Sequence, residues 1–424
     1  MRSFRYATGT SGLKTRRHTC LFRDLEPERK SQRSVWPGRS LFPSGASPVA
    51  SRDSGEELDS DLDARWRIDN LRRHDQSRHG SLLDNQLRAV QSFSTQAASR
   101  CSLTSGADSY SRPAFRPDGR ALYAMFTVEA NGKVYNLDRL AKFSWPNSGK
   151  PVILTCKLGS LDWQFRTLRP DSKSIYLTAE EAGNEKLFTM PADGGEVTLA
   201  MDMTRGVYTG LKIPARAAAT LIVANWESAM NPPEVFRLDL KSKTQIALTN
   251  FNTDQVAKID WQPLRHFWFT SKAGKRIHNM IALPPNFDEN KKYPLLVLMH
   301  GGPNNMWRDN WGLRWNYYLL ARPGYVVLLT NYSGSTGFGE KFAQSIQGDP
   351  FAGPGNEINE GADEAIRLYH FVDGSRQAAA GASYGGHLAN WLQATTTRYK
   401  CLDKPCGFDQ PRISMGHQRH DLFS

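Results

Sequence analysis

The sequence predicts two folded parts in tandem: antiparallel β-sheet repeats, then an α/β unit built on a mostly parallel sheet. Three observations predict them. Turn-and-strand segments echo one another between residues 110 and 255, two uninterrupted apolar runs follow residue 290, and strand patterns alternate with helical ones around those runs. A chain of 424 residues with 39% hydrophobic content is long enough for two or three domains. No run approaches the ~18 apolar residues of a membrane helix, and the start, MRSFRYATGTSGLKTRRHTCLF, lacks the apolar centre of a signal peptide. We therefore expect no membrane partner and, by default, a cytoplasmic location.

The formal charge of +12 does not point to nucleic acid. Much of the excess lies in the first hundred residues as arginines scattered among serines (RKSQRSVWPGRS, NLRRHDQSRHGS), the texture of a disordered or foreign leader and not of a folded binding face. Five cysteines (Cys20, Cys101, Cys156, Cys401, Cys406) show neither zinc-site nor disulfide-framework spacing, so free thiols are expected, with no metal or other cofactor. Residues 1–105 carry no sustained apolar periodicity and are read as an irregular leader, with one weak helical pattern at SLLDNQLRAVQSF.

Residues 106–258 are read as a partial β-propeller. FRPDGRALYAMFTVEANGKVYNLD and LRPDSKSIYLTAEEAGNEKLFTMPADGGEVTLA share a Pro-Asp turn, an aromatic-centred strand, a polar loop and a second strand, and a segment beginning IPARAAATLIVANW repeats the plan more loosely. The units start 53 and 46 residues apart, at Arg116, Arg169 and Ala215, close to the length of propeller blades. Three blades do not close a ring, so earlier blades lie in the leader or are missing. Glu180 and Glu181, in AEEAG, could anchor a substrate amino group; a solvated hairpin loop is the plainer expectation.

Residues 259–402 are read as the N-terminal part of an α/β-hydrolase domain with an incomplete parallel sheet. HFWFTS and HNMIALP form a hairpin turned at KAGKR, and YPLLVLMH and GYVVLLTNY are strands buried on both faces. Trp307, Trp311 and Trp315 recur at helical spacing and suggest a helix packed on the sheet; GNEINEGADEAIRLYHFV is a second helix, and QAAAGA the next strand. The strand leads into Gly381-Ala382-Ser383-Tyr384-Gly385, a G-x-S-x-G turn before the helical YGGHLANWLQATTTRY. Glycines flanking a serine let strand and helix approach closely and leave the hydroxyl exposed, as a nucleophile requires. His300-Gly301-Gly302-Pro303 follows the earlier strand, where a second oxyanion donor is needed: the expected donors are the amides of Gly302 and Tyr384.

Together YPLLVLMHGGPNNMW, GYVVLLTNYSGSTGFGEKF, DEAIRLY and GASYGGHLANWLQATTTRYKCL resemble the catalytic domain of the prolyl oligopeptidase family of serine peptidases, in its dipeptidyl-peptidase and acylaminoacyl-peptidase branch. The resemblance implies a propeller followed by an α/β-hydrolase domain, Ser383 as nucleophile, Gly302 and Tyr384 as oxyanion donors, and short peptides as substrates. Ser333 stands where the family commonly has arginine, which puts any substrate contact there in question.

The triad's Asp and His are not identifiable. Only 41 residues follow Ser383, and residues 403–424 are read as a tail outside the family, with no strand or helix to support Asp403, Asp409, His417, His420 or Asp421 at catalytic precision. His300 and His387 stand near the serine in sequence but on elements with other duties. A truncated or frame-shifted product is therefore expected. Its function is serine-type hydrolysis of short peptides, with a carboxylesterase or an inactive fragment or binding scaffold as alternatives; oligomeric state is left open.

Overall fold

The computed structural model describes residues 60–403 apart from 64–65, 75–82, 94–95, 105–107, 130, 146–148, 156–161, 169–170 and 214–220, and gives the strands between 60 and 102, the strand 162–168 and Asp403 as backbone alone. Its first part is a succession of four-stranded antiparallel meanders whose leading strands are Ser60–Asp63, Ser109–Phe115, Asp162–Leu168 and Val207–Lys212. The third and fourth join through one parallel pair, Glu185 with Val207.

The repeated Pro-Asp signal is one turn used twice. Asp118 accepts the Arg120 amide at 3.0 Å and Asp171 accepts the Lys173 amide at 2.9 Å. The residues between, Gly119 and Ser172, both take left-handed φ values, +71° and +60°. The strand after the first turn, Ala121–Thr127, then divides its residues by the two-residue period of a strand. Ala121, Tyr123 and Met125 pack with Ile175, Leu177 and Met190 of the next meander, while Leu122, Ala124 and Phe126 pack with Tyr110 and Phe143. Tyr176 in turn packs with Tyr208 and Ile222 of the fourth. Face-to-face stacking of successive small sheets is the way propeller blades bury their surfaces.

The first meander lies inside the stretch read as an irregular leader. The weak helical pattern there is a strand, Leu83–Phe93, paired on both edges by Trp66–His74 and Gln96–Ser102. Two ladders satisfy its backbone donors and acceptors, and that pairing overrides a local pattern too weak to hold a helix.

The second part is a six-stranded sheet: β1 (Arg265–Thr270), β2 (Arg276–Ala282), β3 (Tyr293–Met299), β4 (Val326–Asn331), β5 (Val372–Gly381) and β6 (Cys401–Asp403). The order is β1-β2-β4-β3-β5-β6, with β2 antiparallel to both of its neighbours, β1 and β4, and the β4-β3-β5-β6 pairs parallel. All six residues of β4 are buried. Val326 and Leu328 face helices α3 (Ala352–Leu368) and α4 (Tyr384–Thr395) through Ile358, Ala362 and Leu388, whereas Val327 and Leu329 face Trp307, Tyr317 and Tyr318. Burial on both faces is why the run carries no polar alternation.

The tryptophan stripe is not a helix. Helix α1 spans only Tyr317–Ala321 and α2 only Glu340–Gln344; Asn316 caps α1 by accepting the Tyr318 and Leu319 amides, each at 3.1 Å. The three tryptophans precede it in irregular backbone, each serving a different neighbour: Trp307 donates its indole N–H to the Leu298 carbonyl at 3.0 Å, Trp311 packs edge-on against Trp261, and Trp315 lies against the core under α1. Among the described residues, no helix is long and apolar enough to cross a membrane.

Strand β3 connects to β4 on one side, and the chain then crosses back to β5 on the other. The order reverses there, so the carboxyl ends of β3 and β5 form a crevice of the kind in which open α/β sheets place their sites.

Candidate active site

Both sequence-predicted loops meet at that crevice. Ser383 follows β5 with φ 56° and ψ −123°, a conformation that costs a non-glycine residue about 1–3 kcal/mol, and it is exposed. The flanking glycines have no room for a side chain. A Cβ on Gly381 would lie 2.3 Å from the Gly385 carbonyl oxygen, and one on Gly385 would lie 2.3 Å from that of Met299. Tyr384 opens α4; its ring is buried and its hydroxyl donates to the Pro350 carbonyl, with burial pushing its pKa up. Its backbone amide, in the first turn, has no intrahelical partner by geometry.

The His300–Pro303 loop comes up to the serine from β3. An ideal Cβ on Gly301 would stand 3.3 Å from Ser383 Cβ and 3.8 Å from its Oγ, so this glycine faces the hydroxyl directly. His300 is buried beneath, stacked on Tyr332 with ring centroids 4.3 Å apart. Its Nδ1 donates to the Gly301 carbonyl at 2.9 Å and its Nε2 lies 2.9 Å from Ser335 Oγ. Carbonyl and amide of one trans peptide point opposite ways, so holding the Gly301 carbonyl downward turns the Gly302 N–H away from His300. Burial lowers the His300 pKa to about 4, which leaves the imidazole neutral at pH 7.

Among the described residues no histidine is placed as a base for Ser383. His300 is committed to Gly301 and Ser335, and His387 is an exposed residue of α4 whose amide donates to the Ser383 carbonyl at 3.1 Å. Among the described residues no histidine is hydrogen-bonded to a carboxylate. Asp403 closes β6 opposite Ala380, a three-residue strand too short to register as a sequence pattern. Asp409, His417, His420 and Asp421 lie outside the described residues.

Two further positions singled out in the sequence, Ser333 and Glu180, are buried. Ser333 is fully buried and touches no open surface: its amide and hydroxyl donate to the Glu357 carboxylate, each at 2.7 Å, and Lys275 Nζ donates to its Oγ at 2.7 Å while standing 3.5 Å from Glu357. Lys275, just before β2, brings the cation to this carboxylate. Burial raises the Glu357 pKa against the Ser333 hydrogen bonds and the Lys275 charge. A carboxyl raised in the fold costs stability as pH climbs through its folded value. Lys275→Met is therefore expected to destabilise the chain by about 2 kcal/mol at pH 8, less than for a fully buried pair because Lys275 is one-third exposed, and by clearly less at pH 5. Urea unfolding at the two pH values measures this; equal losses would contradict it.

Glu180 is no solvated loop residue either. It is buried, receives the Thr336 hydroxyl and pairs with Arg308 at 2.9 Å, whereas Glu181 pairs with Lys186 at 2.8 Å. Beside it a cleft of about 680 Å³, bordered by Ala182, Lys275, Arg276, Phe338 and Lys341, opens at the carboxyl end of the parallel strands, the end that Ser383 follows.

Residues 311–422 match the family model described as the prolyl oligopeptidase family, running into the segment 403–424 that the sequence reading set apart. The chain belongs to the prolyl oligopeptidase family. Dipeptidyl-peptidase 5 of Arthroderma otae is 30% identical over 287 residues, 67% of this chain and 39% of that protein, and the Trichophyton equinum protein of the same name is 30% identical over 289 residues with the same coverage. The chain thus spans about two-fifths of the length of the curated relatives it matches. Among solved structures, an acylaminoacyl peptidase of Pyrococcus horikoshii aligns with a TM-score of 0.65 at 19% identity, covering 80% of this chain and half of that one; a puromycin hydrolase aligns with a TM-score of 0.57 at 20% identity over the same shares. At these identities the structures establish the prolyl oligopeptidase fold, an α/β-hydrolase unit preceded by propeller-type sheets.

Proposed function

We propose that this chain is a serine-type hydrolase of short peptides that forms an acyl-enzyme on Ser383, with the Gly302 and Tyr384 amides as oxyanion donors. The observation that carries the reading is the approach of Gly301 to the exposed Ser383 hydroxyl across glycines that admit no side chain. In the reaction Ser383 Oγ attacks the scissile carbonyl carbon, and the carbonyl electron pair moves onto oxygen, where two backbone N–H groups hold the charge. Collapse of the tetrahedral adduct breaks the C–N bond and expels the amine, which takes up the proton that Ser383 Oγ gave up, and water later cleaves the ester to the acid and the free Ser383 hydroxyl. No base or acid is assigned among the described residues. Binding and oxyanion donors alone leave only about 10³ to 10⁴-fold acceleration over water.

We read the meanders as consecutive propeller blades and place the division between the two domains near residue 258. A propeller before the site admits short peptides and excludes folded proteins, which favours peptides over esters. The names of the relatives, dipeptidyl-peptidase and acylaminoacyl peptidase, support substrates with a free or acylated N-terminus. Chromogenic dipeptidyl, acylaminoacyl and short-chain ester substrates separate the readings. Turnover of a peptide substrate, abolished by Ser383→Ala, is expected. Ester turnover without peptide turnover would assign an esterase, and none with any substrate would leave an inactive fragment or a binding scaffold.

A further inference from the structure

The loop that leaves Gly302 is fastened to the repeat part before it reaches α1. Asp309, 4% exposed, accepts the Gly206 amide on one carboxylate oxygen at 2.9 Å and the Ala229 amide on the other at 2.7 Å, and its own amide donates to the Gly183 carbonyl at 2.7 Å. These three points are turns of the third and fourth meanders: Gly183 between strands Ser174–Glu181 and Asn184–Pro191, Gly206 just before Val207–Lys212, and Ala229 between Ile222–Ser228 and Asn231–Asp239. Arg308 beside it bridges Glu180 at 2.9 Å and Glu185 at 3.6 Å and reaches back to Asn305 at 3.3 Å. On the sheet side Asn331, at the end of β4, accepts the Trp307 amide at 2.7 Å and donates to its carbonyl at 3.1 Å.

We propose that Asp309 is a positioning residue: by clamping residues 303–309 to the third and fourth meanders it fixes the direction of the Gly301–Gly302 peptide beside Ser383, so that the oxyanion donor is set by contact between the two parts of the molecule. The proposal rests on the serine-hydrolase reading above. Three features support it. Only six residues separate Gly302 from Asp309, and one of them is the conformationally fixed Pro303. A buried carboxylate accepting two backbone amides is a strong, directional hold. The clamp also engages both meanders, at three separate turns.

Asp309→Asn is the sharpest test, because it keeps the shape and replaces one acceptor oxygen by a donor that faces another N–H. The control is Glu340→Gln, which removes a different ion pair between the same two parts, with Arg139 of the second meander at 3.3 Å. Two quantities are measured on the full chain: amide hydrogen exchange over residues 300–306, and the rate constant for modification of Ser383 by a fluorophosphonate. In Asp309→Asn, exchange is expected to rise and modification to slow, each by tenfold or more, with the Glu340→Gln values at the parent's. Parent-like exchange in Asp309→Asn, or equal changes in both variants, would overturn the proposal. Should Asp309→Asn not fold, Arg308→Gln is expected to give a smaller rise in exchange over the same residues, and no rise would overturn it. If Ser383 of the parent is unreactive, the hydrolase reading fails, while the exchange comparison still decides the clamp.

Discussion

Gly385→Ala is expected to destabilise the chain by about 3 kcal/mol or more, among the largest losses any single methyl could cause here. The added Cβ would stand 2.3 Å from the Met299 carbonyl oxygen and 2.8 Å from that of His300. Both atoms belong to the backbone of β3 and its exit, so no side chain can rotate away; β3 and α4 must separate. Gly381→Ala meets the Gly385 carbonyl at the same 2.3 Å and is expected to behave alike. Gly149→Ala is the control, since no atom lies within 4 Å of its Cβ, and it should stay within about 0.5 kcal/mol of the parent. Thermal or urea unfolding of the three variants measures the difference. A Gly385→Ala protein as stable as the Gly149→Ala protein would mean that strand and helix are not packed this closely.

The second large effect is acid destabilisation through two neutral, buried histidines. His278 sits in β2 with Nε2 3.0 Å from His266 Nδ1, and burial followed by the His266 charge lowers its pKa to about 3; burial lowers that of His300 to about 4. In the unfolded chain both titrate near 6.5. Between 6.5 and the folded values the unfolded state therefore binds more protons, and stability falls as pH falls, by about 1.4 kcal/mol per pH unit for each histidine. Asp138, Glu227 and Glu357, raised by burial, act with the opposite sign and reduce the net slope. We expect a net loss of about 2 kcal/mol or more from pH 7 to pH 5 in urea unfolding. His278→Gln is expected to flatten the slope by roughly half. A parent profile that is flat or rising toward acid would contradict the buried, uncharged state of these rings.

Which features could be read from the sequence follows from how local their causes are. The β4 run GYVVLLTN announces a buried strand because both faces meet helices or aromatic side chains, and the elbow is legible because its steric demand falls on glycines within two residues of Ser383. The same holds for the Pro-Asp turns, whose hydrogen bonds close within two residues. Distant causes stayed hidden. Glu180 reads as solvated because its partner Arg308 lies 128 residues away, and Asp309 carries no local signal of the three turns it binds. Trp307, Trp311 and Trp315 mislead because three separate neighbours, and not one helix face, take an aromatic side chain at that spacing. The meander at 60–102 is built from serine- and arginine-rich strands, and its evidence is pairing, which composition does not reveal.

The reactivity of Ser383 tests the central claim most directly. The folded chain and its Ser383→Ala variant are incubated with a fluorophosphonate, digested, and the adduct is located by mass spectrometry. One adduct per chain is expected, on the peptide carrying Gly381–Gly385, and none in Ser383→Ala. A folded parent that takes up no label at Ser383, or takes up the same label in the alanine variant, would show that this elbow does not present a working nucleophile.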